Sequence, residues 1–283
     1  MLLESAMKRL EDAAVLDRPA RSLAAAVSSV TNPRLVKNAL SGSWLGHRLH
    51  PALVPAPLGF WAGALVFDGI GTRPARYAAD TLVGAGVVTA LPTAAAGLSD
   101  WAETVGAARR VGLVHATFNT TALACYTASL VARALGRRRS GVALSLVGAG
   151  AVSLGGYLGG HLSYVLAIGV ERKGFYGTGP EEWTPVLAAD ELPQRQPRLV
   201  KAGDVDVVLY RDGDRVHALA ERCNHEGGPL HEGTFQDGCV TCPWHGSTFR
   251  LRDGAVVRAP AAASQPVYET RVSDGKLEVR AAR

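Results

Sequence analysis

Charged and aromatic residues are both scarce in this chain of 283 residues. Only 19% of the residues are Asp, Glu, Lys or Arg and 6% are Phe, Trp or Tyr, whereas 47% are hydrophobic. Soluble domains carry about 25% charged residues, so the composition indicates membrane-spanning segments diluted by a soluble part. The low charge and the lack of repeats exclude collagen-like, coiled-coil and disordered classes.

Cysteine is scarce as well. The chain has four, and Cys223, Cys239 and Cys242 fall within 20 residues that also contain histidines, while Cys125 stands apart. Clustered cysteines beside histidines favour a metal site over a disulfide framework.

The excess of positive charge is confined to the first part of the chain. Residues 1–180 hold 17 basic and 9 acidic residues, whereas residues 181–283 hold 13 and 16. The basic residues of the first part flank apolar runs, which is a membrane pattern. No nucleic-acid partner is expected.

Four apolar segments follow residue 50, and each contains at most one charged residue. They cover residues 51–67, 77–98, 111–132 and 141–170. Because about 20 apolar residues are needed to cross a bilayer, the sequence predicts an all-α bundle of four transmembrane helices over residues 47–173. The lipid bilayer is therefore an expected partner.

Residues 1–46 form a basic segment without a signal peptide. Leu10, Ala13, Ala14 and Leu16 fit a short amphipathic helix on a lipid surface, and a loosely ordered tail is the alternative. Seven basic residues before Pro51 favour termini in the cytoplasm, at a bacterial inner membrane. In the fourth apolar segment, glycines four residues apart are expected to pack the helices of the bundle together, with homodimerisation as the alternative: Gly155 and Gly159, and Gly156 and Gly160.

After a linker at residues 174–182, the pattern predicts an all-β domain over residues 183–283. Short β-rich runs occur at 205–210, 215–220, 255–258, 267–272 and 277–279. Asp-Gly pairs at 212–213, 253–254 and 274–275 are typical of hairpin turns.

Two short loops of this domain carry metal-ligating residues. One reads Cys223-Asn224-His225 and the other Cys242-Pro243-Trp244-His245. Each supplies one thiolate and one imidazole. A Cys₂His₂ zinc site uses the same donors, but zinc-finger spacing pairs Cys with Cys and His with His.

This arrangement resembles the Rieske iron–sulfur family over about residues 183–280. The resemblance implies a [2Fe–2S] cluster with Cys223 and Cys242 on one iron and His225 and His245 on the other. Ser247 matches a serine whose hydroxyl bonds the cluster sulfur. Cys239 is then a strand thiol outside the ligand set, and His217 and His231 have no role in the cluster.

The chain also departs from the high-potential members of that family. Gly228 and Trp244 occupy the positions of a disulfide that ties the loops together, and Phe249 replaces a tyrosine. The resemblance is therefore to Rieske-type ferredoxins, with a potential in the lower or middle part of the range of about −150 to +300 mV. Because the 38 residues after His245 contain no histidine, an oxygenase catalytic subunit is not expected.

The membrane part resembles a bacterial four-span membrane domain of unknown function, through short motifs. They are His50-Pro51, Gly97-Leu98-Ser99-Asp100-Trp101, His115 and Gly160-His161. Topology predicts that four polar residues of these motifs lie in one leaflet of the bilayer: His50, Asp100, His115 and His161. Asn119 would lie one helical turn deeper than His115.

Polar groups inside spans are costly, and three explanations stay open for these. They form a hydrogen-bonded network between helices, or ligate a haem b, or bind a quinone. The function expected is electron transfer by a membrane-anchored carrier, with a redox protein or a quinone as partner. The alternative is a redox sensor or assembly factor whose cluster state controls partner binding.

Overall fold

The computed structural model describes residues 2–170 and 177–282. Within them the chain forms two compact units, one of residues 2–33 and 49–169 and the other of residues 34–48 and 177–282. Of the linker expected at 174–182, residues 174–176 lie outside the described residues, as do the basic residues Arg172 and Lys173.

Eight α-helices occupy the described residues before 170. They are α1 (Leu2–Glu11), α2 (Asp17–Thr31), α3 (Arg34–Ser41), α4 (Leu49–Leu53), α5 (Pro55–Ile70), α6 (Arg73–Trp101), α7 (Gly106–Ala134) and α8 (Arg138–Tyr164). Helix α3 belongs to the second unit and the other seven to the first.

Three helical stretches of the described residues are long and apolar enough to cross a membrane: Leu49–Ile70, Arg73–Trp101 and Arg138–Tyr164. Helix α7 has 29 residues but is less apolar, since it contains Arg109, Arg110 and Asn119. The all-α membrane region is thus confirmed, while a fourth span in α7 stays a prediction.

The N-terminal segment is helical rather than loosely ordered. Met7 on α1 is buried with Val111 and Leu158 of the bundle. Ala20 and Ala24 on α2 are buried beside Trp101. Met7 and Leu10 of α1 thus pack on the bundle, whereas Val15 is 82% exposed, and a lipid contact of this segment stays a prediction.

The glycine pairs of α8 serve two different surfaces. A Cβ at Gly155 would lie 2.7 Å from Asn119, and one at Gly159 would lie 3.1 Å from His115. A Cβ at Gly156 would meet no atom within 4 Å. The first pair thus makes room for polar side chains of α7, and the prediction of helix packing through both pairs is wrong for Gly156.

Charged residues from four helices meet at one end of the bundle. The Arg133 guanidinium bonds Asp68 with two N–H groups and Asp80 at 2.9 Å, and its Nε–H bonds the Ser129 hydroxyl at 3.0 Å. Arg138 bonds both carboxylates, at 2.7 and 2.9 Å. Arg133 and Asp68 are only 1% and 3% exposed. The network therefore ties the ends of α5, α6, α7 and α8 together without leaving a buried charge alone.

We expect Asp68→Ala to destabilise the full chain by about 3–5 kcal/mol, because it leaves buried Arg133 without its main counterion. The matched control is Asp12→Ala, since the Asp12 side chain is 62% exposed and lies 3.2 Å from the exposed Lys8 ammonium. Thermal unfolding in detergent measures both variants. Equal melting temperatures for Asp68→Ala and Asp12→Ala would contradict the role given to the network.

The second unit is built on two antiparallel sheets. One has the strand order β1-β10-β9-β4-β3-β2 and the other β5-β6-β7-β8. The strands are β1 (Thr184–Ala188), β2 (Arg198–Ala202), β3 (Val205–Asp212), β4 (Arg215–Ala220), β5 (Thr234–Gln236), β6 (Cys239–Thr241), β7 (Thr248–Arg250), β8 (Val256–Arg258), β9 (Val267–Ser273) and β10 (Lys276–Ala281).

The five strands predicted from the sequence are confirmed, with bounds that differ by at most two residues. Left-handed glycines occur in all three predicted Asp-Gly turns, at Gly213, Gly254 and Gly275. Strands β5, β6 and β7 have three residues each, too few for a period of two to stand out.

Residues 34–48 precede the first apolar helix in sequence but pack with the β unit. The Asn38 side chain donates to the Val257 carbonyl at 3.2 Å and accepts from the Ala259 N–H at 2.9 Å. An amide that satisfies one donor and one acceptor behaves as an added strand residue beside β8. The expected domain bounds placed residues 34–46 in the N-terminal segment 1–46, outside the β domain of residues 183–283. The structure instead includes residues 34–48 in the β unit.

Candidate metal centre

Two loops of the β unit carry the four candidate ligands. The first loop, Cys223 to Leu230, follows β4, and the second loop, Cys242 to Ser247, joins β6 to β7. Cys223 and Cys242 are 1% and 3% exposed and belong to the same buried cluster, which includes Val240. Both loops are therefore anchored in the hydrophobic core at their cysteines.

The two loops have the same backbone conformation. The cysteine N–H donates to the carbonyl five residues on, at 2.9 Å for Cys223 and 2.8 Å for Cys242. The cysteine carbonyl accepts from a glycine four residues on, at 2.7 Å for Gly227 and 3.1 Å for Gly246. Both glycines have left-handed backbone, with φ of 79° and 71°, which other residues rarely adopt. The sequence C-x₃-G therefore specifies the same type of turn in both loops.

These turns direct backbone N–H groups at the thiols. The N–H groups of His225 and Glu226 bond Cys223, and those of Trp244 and His245 bond Cys242. A hydrogen bond from Cys223 lowers the pKa of Cys242 to about 6 in spite of its burial. The same hydrogen bond, together with burial, raises the pKa of Cys223. One thiolate is thus stabilised within the protein, and the second would form when a bound cation arrives.

The two imidazoles lie next to each other, with His225 only 6% exposed and His245 partly buried. The ring centres of His225 and His245 lie 5.1 Å apart, with an interplanar angle of 78°. Two metal–imidazole bonds of about 2 Å at a tetrahedral angle would put the ring centres about 5 Å apart. The histidine pair therefore has the spacing for one tetrahedral metal.

The cysteines and histidines form two pairs instead of one set of four. Within residues 2–170 and 177–282, no three Cys, His, Asp or Glu side chains converge as a single metal ion requires. A Cys₂His₂ zinc ion would need all four donors around one point. A [2Fe–2S] cluster needs two donors per iron, so these residues fit the cluster better than zinc.

The first loop approaches the second loop at Gly228. A Cβ there would lie 2.7 Å from the Cys242 Sγ and 3.2 Å from the Trp244 ring. Contact between the indole and Gly228 joins the loops where other family members are expected to have a disulfide.

A third segment, residues 259–266, braces both loops and was missed by sequence reasoning. The Gln265 side chain accepts from the Asn224 N–H at 3.0 Å and donates to the Ala220 carbonyl at 2.7 Å. The Ala261 N–H donates to the Ser247 hydroxyl at 3.0 Å. Asn224, Gln265 and Ser247 are each at most 2% exposed. A buried Gln 41 residues from the loop it holds carries no local sequence signal.

The remaining polar residues near the loops have other partners. His231 Nδ1 lies 2.5 Å from a Glu221 carboxylate oxygen. Burial raises the pKa of Glu221, while the bonds from His231 oppose that shift. Burial lowers the pKa of His217 on β4. Cys239 lies on β6, paired with Arg250, outside both loops, and burial raises the pKa of its thiol.

The candidate membrane residues divide into separate groups. His50 and His115 lie with their ring centres 6.4 Å apart, and the Asn119 side chain bonds the His115 carbonyl at 2.8 Å. His161 instead pairs with Glu11 of α1, at 2.8 Å. Of the three histidines expected in one leaflet, the structure thus brings His50 and His115 together and pairs His161 with Glu11. Asp100 lies in the last turn of α6.

Comparison with known families matches both parts of the chain. The Rieske [2Fe-2S] domain model matches residues 182–269, and a model described as a predicted membrane protein, DUF2231, matches residues 46–172. The anthranilate 1,2-dioxygenase ferredoxin subunit of Burkholderia cepacia is 38% identical over 98 residues, which are 35% of this chain and 91% of the relative. The chain belongs to the Rieske [2Fe–2S] family.

Two further Rieske proteins are similar over the same part. Ferredoxin CarAc of Metapseudomonas resinovorans is 31% identical over 98 residues, which are 34% of this chain and 92% of the relative. A solved structure, the ferredoxin of carbazole 1,9a-dioxygenase from Nocardioides aromaticivorans IC177, is 26% identical with a TM-score of 0.34. It covers 35% of this chain and 98% of that one. The Rieske domain is here fused to the membrane domain of the second family.

The ligand assignment predicts opposite results for two nearby cysteines. The purified full chain with Cys223→Ser should lack iron and sulfide, because a serine oxygen replaces the thiolate ligand of the first loop. Cys239→Ser, its matched control on β6, should keep both at the level of the unchanged protein. Iron and acid-labile sulfide assays measure this, and loss of the cluster from Cys239→Ser would overturn the assignment.

Proposed function

We propose that the chain is a membrane-anchored electron-transfer protein whose Rieske domain holds a [2Fe–2S] cluster. Cys223 and Cys242 hold one iron, and His225 and His245 hold the other. The observation that carries this proposal is the repeated turn, which presents a thiol and an imidazole from each loop. The similarity to ferredoxin subunits supports a carrier role.

A Rieske [2Fe–2S] cluster supplies a one-electron couple, whose potential is raised because two neutral imidazoles replace two thiolates. The protein around it limits reorganisation. Backbone N–H groups already point at both thiols, and Gln265 and Asn224 fix the first loop from the core side. Little has to move when the charge of the site changes.

Ser247 is placed to tune this potential. Its oxygen accepts from the Ala261 N–H, so its own proton is left to donate towards the space between the loops. The residue is fully buried, so water does not compete for that proton. We assign it the hydrogen bond to a cluster sulfur that the family resemblance implies. Phe249, also fully buried, offers no second hydroxyl.

A redox partner would approach at the tip of the two loops. Trp244 is 55% exposed there, and its ring lies 6.4 Å from that of His245, measured between ring centres. An exposed indole beside the histidine-held iron gives a partner protein an apolar contact next to the electron's exit. The relatives' names place them in dioxygenase systems, so a redox protein is the partner favoured here over a quinone.

The apolar helices and the matched membrane family support anchoring in a membrane. We propose the bacterial inner membrane, with both termini and the Rieske domain in the cytoplasm, on the basis of the basic residues before Pro51. This location would keep the carrier beside membrane or cytoplasmic reductases.

Redox titration of the full chain tests the proposal. One reversible one-electron wave is expected for the cluster, followed through the electron paramagnetic resonance signal of its reduced state. Ser247→Ala should lower the midpoint of that wave by tens of millivolts, since about 59 mV corresponds to a tenfold change for one electron. Thr248→Val is the control, because the Thr248 hydroxyl bonds that of Thr241 at 3.0 Å. It should leave the midpoint unchanged.

The proposal has a clear contrary outcome. An irreversible wave, or a midpoint that moves as far in Thr248→Val as in Ser247→Ala, would show that the serine hydroxyl does not face the cluster and that general loosening of the loop explains the shift.

A further inference from the structure

Two histidines from different helices face each other inside the helical unit. His50 lies on α4 and His115 on α7, with ring centres 6.4 Å apart and an interplanar angle of 85°. They are 65 positions apart in the sequence. Both residues are only partly buried.

Hydrogen bonds fix the same tautomer in both rings. His50 Nδ1 lies 2.9 Å from the Thr93 carbonyl, and His115 Nδ1 lies 2.8 Å from the Gly155 carbonyl. A carbonyl oxygen can only accept, so each Nδ1 carries the proton. In the neutral rings both Nε2 atoms therefore keep a lone pair. An imidazole whose other nitrogen donates to a backbone carbonyl is the usual arrangement of a metal-bound histidine.

The Asn119 amide does not occupy the Nε2 lone pair of His115. Its nitrogen lies 3.4 Å from Nδ1 and 3.3 Å from Nε2 of the ring. An atom nearly equidistant from both ring nitrogens at that range lies over the ring face, since in-plane positions would clash with ring carbons. The amide's own hydrogen bond goes to the His115 carbonyl, at 2.8 Å.

Glycines on neighbouring helices hold the rings in place. A Cβ at Gly97 of α6 would lie 2.7 Å from His50 Nδ1, and one at Gly159 of α8 would lie 3.1 Å from His115 Cε1. Any side chain at Gly97 would push His50 out of its position. The motif that begins at Gly97 thus has a physical function, which is to admit this histidine.

The spacing of the rings fits two ligands on opposite sides of one metal. Two metal–imidazole bonds of about 2 Å on a straight line would put the ring centres about 6 Å apart, whereas a tetrahedral angle would give about 5 Å. The observed 6.4 Å matches the straight arrangement, and the 5.1 Å between His225 and His245 matches the tetrahedral one.

Two protein ligands are too few for a bare ion. In the part of the chain that the structure describes, no third Cys, His, Asp or Glu joins the pair. A haem brings four equatorial nitrogens of its own and needs two axial ligands from the protein. Its apolar macrocycle also suits a membrane bundle. We propose that His50 and His115 are the axial ligands of a b-type haem in the membrane domain.

This proposal is independent of the cluster assignment, and the two can fail separately. The full chain is produced with a haem precursor, purified in detergent, and assayed by its Soret band and by pyridine haemochrome. One haem per chain is expected, with the highly anisotropic low-spin ferric resonance that nearly perpendicular axial imidazoles give. Cys223→Ser should keep the haem while losing the cluster.

Variants test the ligands. His50→Leu and His115→Leu should each lose the low-spin haem spectrum, and His115→Met should retain haem with a shifted spectrum, because a thioether can replace one axial imidazole. The matched control is His161→Gln, whose imidazole pairs with Glu11 and which should keep one haem per chain. Circular dichroism confirms that each variant is folded.

Two results would overturn the proposal. One is an unchanged chain that purifies without haem and shows no saturable spectral shift on titration with haemin. The other is folded His50→Leu and His115→Leu protein that retains the low-spin spectrum, which would place the haem on other ligands. In the first case the pair only joins α4 and α7 through hydrogen bonds to α6 and α8.

Discussion

The hydrogen bonds that close the turn after each cysteine are the constraint on which the Rieske domain depends. They join Cys223 to Gly227 and Gly228, and Cys242 to Gly246 and Ser247. Because the same turn occurs twice, the two thiols meet in the core and the two imidazoles lie next to each other. Both thiols and His225 are shielded from water, whereas His245 is partly buried and the neighbouring Trp244 is 55% exposed.

The low dielectric of the membrane interior is a second constraint on the helical unit, because unpaired charges and hydrogen-bond donors are costly there. At one end Arg133 is matched by Asp68 and Asp80, so the network is complete in itself. His115 lies 18 positions earlier on α7, about 27 Å away along the helix axis. In His50 and His115 the Nδ1 atom of each ring is hydrogen-bonded to a backbone carbonyl, whereas the Nε2 atom keeps its lone pair for a ligand. Structural pairing explains the first group fully and the histidines only in part.

The helices, the strands and the ligand loops could largely be predicted from the sequence, because local residue patterns specify them. Apolar runs, Asp-Gly turns and the C-x-H and C-x-x-H loops each lie within about 30 residues. Contacts between remote residues could not be predicted, because no local pattern encodes them. Asn38 joins a segment before the membrane helices to β8, and Gln265 holds the first loop from 41 positions away. His50 lies next to His115 through helix packing, which the depth of each residue along its span did not predict.

Histidine ligation of the reducible iron is the central claim, and pulsed electron paramagnetic resonance on the full chain labelled with ¹⁵N-histidine tests it most directly. After reduction with dithionite, two distinct histidine nitrogens should couple to the cluster's unpaired electron. Low-spin ferrous haem is diamagnetic and would not interfere. His245→Cys should leave one of these couplings or none. A reduced cluster that shows no histidine coupling, or a protein that contains stoichiometric zinc in place of iron, would contradict the account.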